Sequence, residues 1–474
     1  MDADALVRCS ATELVAAVRA RQVSASAVVR AFLDRTDRIE PRLNTCVTRT
    51  DELALQAAHR VDARIAEGHD PGALAGLPVS VKDLIAVGGV RQTFGSWAFA
   101  DHVAREDASA VARLRAAGAC ITGKTTTSEL GSKAVGDAPL TGITRNPWNP
   151  ARTPGGSSAG AAAGVAAGLV PAALGTDGGG SLRIPASFCG LVGFKATFGR
   201  VPVWPASATP ALAHVGPLAR SVADCALLMS VIAGHDARDP GSLALPVPDY
   251  AGAAAGPDPS PTREWRIGWC ENLGPGRATA EVQEHCRRAL DPLVRAGCTV
   301  VTLDPVFGDD PAIAWNAEFY AGIASRLPKL DDDASIAARI DPALRRMMQA
   351  SQALGEPERA RAAALKRAVR QRVDALFDRI DLLATPATPT SAPPVGVDAP
   401  AGHEGRGPVD WSYFTYPFNL TGHPALSLPV GLGADGLPIG LQLVAAPRNE
   451  LALLLAARAI ERAHGFGLAA IDRT

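Results

Sequence analysis

Two serine clusters set in glycine hold the chemical interest of this chain: Gly155-Gly156-Ser157-Ser158 and Gly178-Gly179-Gly180-Ser181. Glycine at such positions lets main chain approach a ligand closely. A serine hydroxyl is a weak nucleophile and needs a base within hydrogen-bond reach. The chain has nine histidines, but none falls in the glycine-rich region, and His214 and His423 read as loop or core residues. No Walker or dinucleotide-binding loop set between a strand and a helix is read in the sequence, nor any metal-ligand spacing, so neither cofactor nor metal is expected. That leaves lysine. Gly76-Leu77-Pro78-Val79-Ser80-Val81-Lys82-Asp83 is an alternating strand that closes on Lys82. A lone lysine usually snorkels to solvent. Burial at such a strand end would instead bring its pKa down from about 10.4 towards 7 to 8, where a neutral amine can act as base. The second serine can then act as relay.

The segment joining the clusters is almost wholly Ala, Gly and Val, with no charge from Thr153 to Thr176. It predicts a buried helix holding the two serines in register. A membrane span is the first alternative, but only Val165, Leu169, Val170 and Leu174 are strongly apolar, Pro171 interrupts, and no basic or aromatic belt flanks the run. A nucleophile elbow is the second, with Ser158 central in Gly156-Ser157-Ser158-Ala159-Gly160. That motif needs a preceding strand, and Asn146-Pro147-Trp148-Asn149-Pro150 followed by Pro154 cannot supply one.

The surrounding elements alternate in type. Helices are predicted from the Ser10-x-x-Glu13 capping box, from Ser24, over 51–67, 109–117 and 221–233, and over 279–297 with a kink at Pro292. A helical block covers 334–380 and a last helix 450–464. Strands are predicted over 76–83, 120–123, 191–195, 265–269, 298–303 and 381–384, with a closing pair over 414–430 and 436–444. A long Pro-rich loop carrying Trp204 is expected over 198–217. Residues 236–262, rich in Pro, Ala and Gly, read as a surface excursion. Strand and helix alternate in one style on both sides of it, which predicts one large α/β domain spanning 1–474.

Composition narrows the function. With 474 residues, 47% hydrophobic and 20% charged, the chain can bury a large core. A net charge of −1 gives nucleic acid or an anionic membrane nothing to attract, so a small-molecule substrate is expected, handled by a monomer or homodimer. The eight cysteines lie singly and read as reduced thiols. Met1-Asp2-Ala3-Asp4 lacks the basic start of a signal peptide, so a cytoplasmic location is expected.

Lys82 in G-L-P-V-S-V-K-D, Ser157 in G-G-S-S-A-G and Ser181 in G-T-D-G-G-G-S-L-R-I-P-A together resemble the signature blocks of the amidase signature family of serine hydrolases. Their separations of 75 and 24 residues agree with that pattern. Further similarity runs through R-N-P-W-N at Arg145, F-C-G-L-V-G-F-K at Phe188, V-G-P-L-A-R-S-V-A-D at Val215 and the strand pair over 419–444. The resemblance implies a central twisted mixed sheet covered by helices on both faces, with a signature core over 76–200. It also implies a Ser-cisSer-Lys triad. Ser181 would attack an amide carbonyl, and Ser157, after a cis peptide, would pass the proton to Lys82. The amides of Gly178, Gly179, Gly180 and Ser181 would form an oxyanion hole. Asp177 and Arg183 would brace that loop, and Ser158 would hydrogen-bond Lys82. No metal or cofactor is implied. Two departures stand out: Ala159 where glycine is frequent, and Gly178 where a bulkier residue is frequent. Gly178 would either widen the pocket or loosen the loop. Pocket walls are expected near Trp97, 136–145, Trp204 and Phe319. The implied activity is hydrolysis of small or aryl amides, extending to carbamates (urethanes) and esters. The alternative is the glutamine-hydrolysing component of a tRNA-dependent amidotransferase.

Overall fold

The computed structural model describes residues 2–256, 264–326, 334–465 and Ile471. The last residues of the predicted surface excursion, 257–262, lie outside the described residues.

Thirteen strands form among the described residues: β1 (Cys46–Arg49), β2 (Pro78–Lys82), β3 (Cys120–Thr125), β4 (Asp137–Ala138), β5 (Gly142–Ile143), β6 (Ala172–Asp177), β7 (Val192–Lys195), β8 (His214–Ala219), β9 (Arg266–Trp269), β10 (Thr299–Thr302), β11 (Leu382–Pro386), β12 (Ala425–Leu432) and β13 (Pro438–Ala445). β4 and β5 make a small hairpin. The other eleven make one mixed sheet in the order β1-β3-β2-β6-β8-β7-β12-β13-β11-β9-β10, flanked by helices. The single α/β layered domain read from the sequence is therefore the fold. Every residue of β2, β8, β11 and β13 is buried. Strands covered on both faces read as near-continuous apolar runs, and the Val, Leu and Ala content of these segments fits that burial.

Several local readings hold in detail. Ser10 and Glu13 form the reciprocal capping box. The helix expected over 279–297 is split into Ala280–Arg288 and Asp291–Arg295, with Pro292 in the first turn of the second piece, where its missing N–H costs nothing. The block after residue 334 gives the helices Ala334–Ala337, Pro342–Gln352 and Glu356–Leu376. All eight cysteines are free thiols. No helix among the described residues is long and apolar enough to cross a membrane.

Two readings are corrected. The uncharged stretch is not one helix. Helix Ala159–Ala166 ends before Gly168, whose φ is +71°, and the chain returns as β6. Glycine in the left-handed region followed by Pro171 stops a helix from either side. The Pro-rich loop likewise ends early, because β8 begins at His214 and pairs with β6 from Asp177 to Ala172. Pro217 lies inside this central strand opposite Leu174. Proline argues against a strand from sequence alone, which is why β8 reads as loop.

Candidate active site

Three consequences of this topology build the site. β2 and β6 are parallel neighbours, so their C-terminal ends share one edge of the sheet, where crevices form in α/β folds. Lys82 ends β2 and Asp177 ends β6. Helix Ala159–Ala166 leads back into β6, so its N-terminus, with Ser157 and Ser158, starts at that same edge. Small residues make the approach possible: a Cβ on Gly160 would lie 2.1 Å from the Thr45 carbonyl oxygen and 2.4 Å from Thr126 Oγ1. Ala159 is accommodated by a glycine opposite, since a Cβ on Gly136 would come within 2.7 Å of its methyl.

The three predicted residues come together in one chain of contacts. Lys82 Nζ donates to Ser157 Oγ at 2.7 Å, and Ser157 Oγ lies 2.9 Å from Ser181 Oγ. The Gly156–Ser157 peptide is cis. Lys82 and Ser157 are buried, whereas Ser181 borders a cavity of about 460 Å³. Burial pushes the Lys82 ammonium well below its ordinary pKa, and the attraction of Asp177 offsets only part of that. The contacts of Lys82 are hydroxyls rather than a carboxylate, and burial favours its neutral form.

Asp177 is held differently. Burial alone would raise its carboxyl, but the Arg183 guanidinium outweighs this and keeps it well below the usual carboxylate range. Arg183 grips it with two bonds of 2.9 Å, Nε to Oδ2 and Nη2 to Oδ1, the paired geometry that makes such contacts strong. The remaining Arg183 donors reach the Thr415 carbonyl, Gln442 Oε1 and Asn419 Oδ1. Asp177 in turn accepts from the amides of Gly180 at 2.7 Å and Leu182 at 3.2 Å. Asp177 thus links the Arg183 guanidinium to two amides of the loop that carries Ser181.

Geometry corrects the roles of two predicted groups. The Gly180 amide is committed to Asp177, so it is not free to face an oxyanion; its φ of +129° is a conformation suited to glycine. The amides of Gly178, Gly179 and Ser181 have no partner among the described residues. Ser158 does not bond Lys82. Its hydroxyl donates to the Thr176 carbonyl at 3.1 Å, and the second partner of Lys82 is Thr176 Oγ1 at 2.8 Å. Thr176 went unnoticed because it is 94 residues from Lys82 and only sheet pairing brings them together.

The cavity is walled by Trp204 and Phe319, as expected, and by Phe94, Leu130, Val203 and Ile323. Trp97 and 136–145 are not among its lining residues; Trp97 instead donates to the Pro139 carbonyl at 3.3 Å. Gly178 lines the cavity with Phe319 packed close to it. A Cβ on Gly178 would lie 3.2 Å from Phe319 Cε2.

The mixed α/β sheet thus brings two serines and a buried amine together at one strand edge. The family model for amidases matches residues 27–454. The chain belongs to the amidase signature family and is an amide hydrolase by that membership. It is 35% identical over 457 residues to an acylamidase of Rhodococcus erythropolis, covering 95% of this chain and 94% of that protein. It is 36% identical to the A-type subunit of the glutamyl-tRNA(Gln) amidotransferase of Synechococcus sp. (strain RCC307), covering 91% and 92%. Among solved structures, a bacterial aryl acylamidase of the same family superposes with a TM-score of 0.91 at 30% identity, over 98% of both chains. A 6-aminohexanoate cyclic dimer hydrolase superposes with a TM-score of 0.88 at 29% identity, covering 98% of this chain and 99% of that one.

Proposed function

We propose that this chain is an autonomous amidase of small or aryl amides that also accepts carbamates (urethanes) and esters. It would act as a monomer or homodimer, without nucleic acid or membrane. The observation carrying this reading is the unbroken contact chain Lys82–Ser157–Ser181, with no carboxylate on the amine among the described residues. Ser181 Oγ attacks the carbonyl carbon while its proton moves to Ser157 Oγ and the Ser157 proton moves to neutral Lys82. Hydroxyl hydrogens rotate, so the same contacts serve either direction of transfer. The tetrahedral oxyanion is met by the amides of Gly178, Gly179 and Ser181, each such donor being worth about 10²–10³ in rate. Collapse needs a proton on the leaving nitrogen, and the Lys82 ammonium returns it through Ser157. Water then attacks the acyl-enzyme by the same relay.

The apolar wall of Phe94, Leu130, Val203, Trp204, Phe319 and Ile323 supports an uncharged, ring-sized group next to the scissile bond. A second reading, glutamine hydrolysis for an amidotransferase, is favoured by the amidotransferase relatives. Assay of the purified chain alone on aliphatic amides, anilides, aryl carbamates, esters and glutamine separates them, with Ser181→Ala as blank. Anilide or carbamate turnover that vanishes in the blank is expected. Activity on glutamine alone would establish the second reading.

A further inference from the structure

Each peptide plane of the oxyanion loop is held by its carbonyl. In a trans peptide the C=O of one residue and the N–H of the next point in opposite directions, so fixing one aims the other. The Asp177 carbonyl accepts from Asn419 Nδ2 at 2.9 Å, which orients the Gly178 amide. The Gly178 carbonyl accepts from the Trp315 indole N–H at 2.7 Å, which orients the Gly179 amide. The Gly179 carbonyl accepts from Thr415 Oγ1 at 2.7 Å, and the Gly180 carbonyl from the Ile184 amide at 2.7 Å. Asn419 and Thr415 belong to one segment, Trp315 to helix Ala312–Arg326, and Ile184 to the helix that follows the loop.

We propose that Trp315 is a positioning residue for the reaction: its indole N–H sets the direction of the Gly179 amide towards the developing oxyanion. Trp315 is well placed to do this. It lies on helix Ala312–Arg326 and is 1% exposed. Phe319, one turn on, stacks against it at 4.4 Å between ring centroids, and Tyr320 meets it edge-on at 5.8 Å. The ring also occupies the face of Gly179, where a Cβ would come within 2.7 Å of its Cζ2. A rigid aromatic group therefore presents one donor to one carbonyl, and no other side chain bonds that carbonyl among the described residues. Preorganised donors stabilise charge that develops in the transition state more than they stabilise the substrate. Losing the indole N–H therefore affects the chemical step and spares ground-state binding.

This inference rests on the reading of Ser181 as nucleophile. The test replaces Trp315 with Phe and, to keep the bicyclic ring without the N–H, with 3-benzothienylalanine. Steady-state kinetics on an anilide, inhibition by an aryl boronic acid that forms a tetrahedral adduct on Ser181, and thermal melting are measured for both, with Ser181→Ala alongside. The benzothienyl protein is expected to melt like the wild type, to lose about tenfold in kcat at unchanged KM, and to bind the boronic acid weaker by the same factor. An unchanged kcat, or a loss carried wholly by KM, overturns the role of Trp315. If Ser181→Ala itself retains turnover, the reading of the site falls and this inference with it. Wild-type rates in the Trp315 variants beside an inactive Ser181→Ala would remove this inference alone.

Discussion

Lys82 and Lys124 sit on adjacent parallel strands, one register step apart: Lys82 pairs with Thr125, and Val81 with Lys124. Both are fully buried, and burial lowers the pKa of both. Side chains alternate across a sheet, so the two point to opposite faces. On one face Lys124 Nζ meets Asp83 Oδ1 at 3.0 Å, and Asp83 Oδ2 accepts from the amide and hydroxyl of Thr93. On the other, Lys82 meets only the hydroxyls of Ser157 and Thr176 among the described residues. Burial alone therefore does not make a base. A carboxylate in contact makes Lys124 half of an ion pair, whereas hydroxyl partners leave Lys82 as the amine proposed to cycle a proton.

The sharpest way to break this contrast begins at the nucleophile. Ser181→Ala should reduce turnover at least about 10⁴-fold without altering thermal stability; residual activity well above that level would remove Ser181 from the role. Next come the two lysines, exchanged in effect. Lys82→Ala should lose about 10³-fold in kcat while melting normally. Lys124→Ala should instead destabilise the fold by about 3–5 kcal/mol, because it strands the Asp83 charge in the interior, with turnover per folded molecule little changed. Chemical denaturation and active-site titration measure both, and a reversed pattern would invert the comparison. Thr176→Val, which leaves Lys82 a single hydroxyl, should cost about tenfold in kcat. The smallest effect is expected from Gly178→Ala, whose methyl would press on Phe319. KM for aryl substrates should rise a few-fold, and Phe319→Leu should restore it.

Much of this site was legible in the sequence because its parts are local. The strand ending on Lys82 alternates visibly, and both serines lie in glycine runs that ordinary surface does not need. Asp177 and Arg183 are six residues apart, within reach of one loop. What escaped depends on distant pairing. Thr176 reaches Lys82 only because β6 adjoins β2, and the Gly178 carbonyl meets Trp315 across 137 residues. β8 escaped for a different reason: Pro217 carries a loop signal, and only the surrounding sheet overrides it. The Gly180 amide was assigned by its place in the loop, yet the Asp177 carboxylate claims it.

The central claim is that neutral Lys82 accepts the Ser181 proton through Ser157. Its most direct test is the rate of acylation, read as the pre-steady-state burst with an anilide or aryl carbamate, across about pH 6 to 9. Because burial lowers the Lys82 pKa, the neutral amine is lost as pH falls and gained as pH rises. The account predicts a rate that climbs through a single ionisation below the ordinary lysine range, levels off, and loses that dependence in Lys82→Ala. A flat or acid-favoured burst, or the same rising profile in Lys82→Ala, would contradict it.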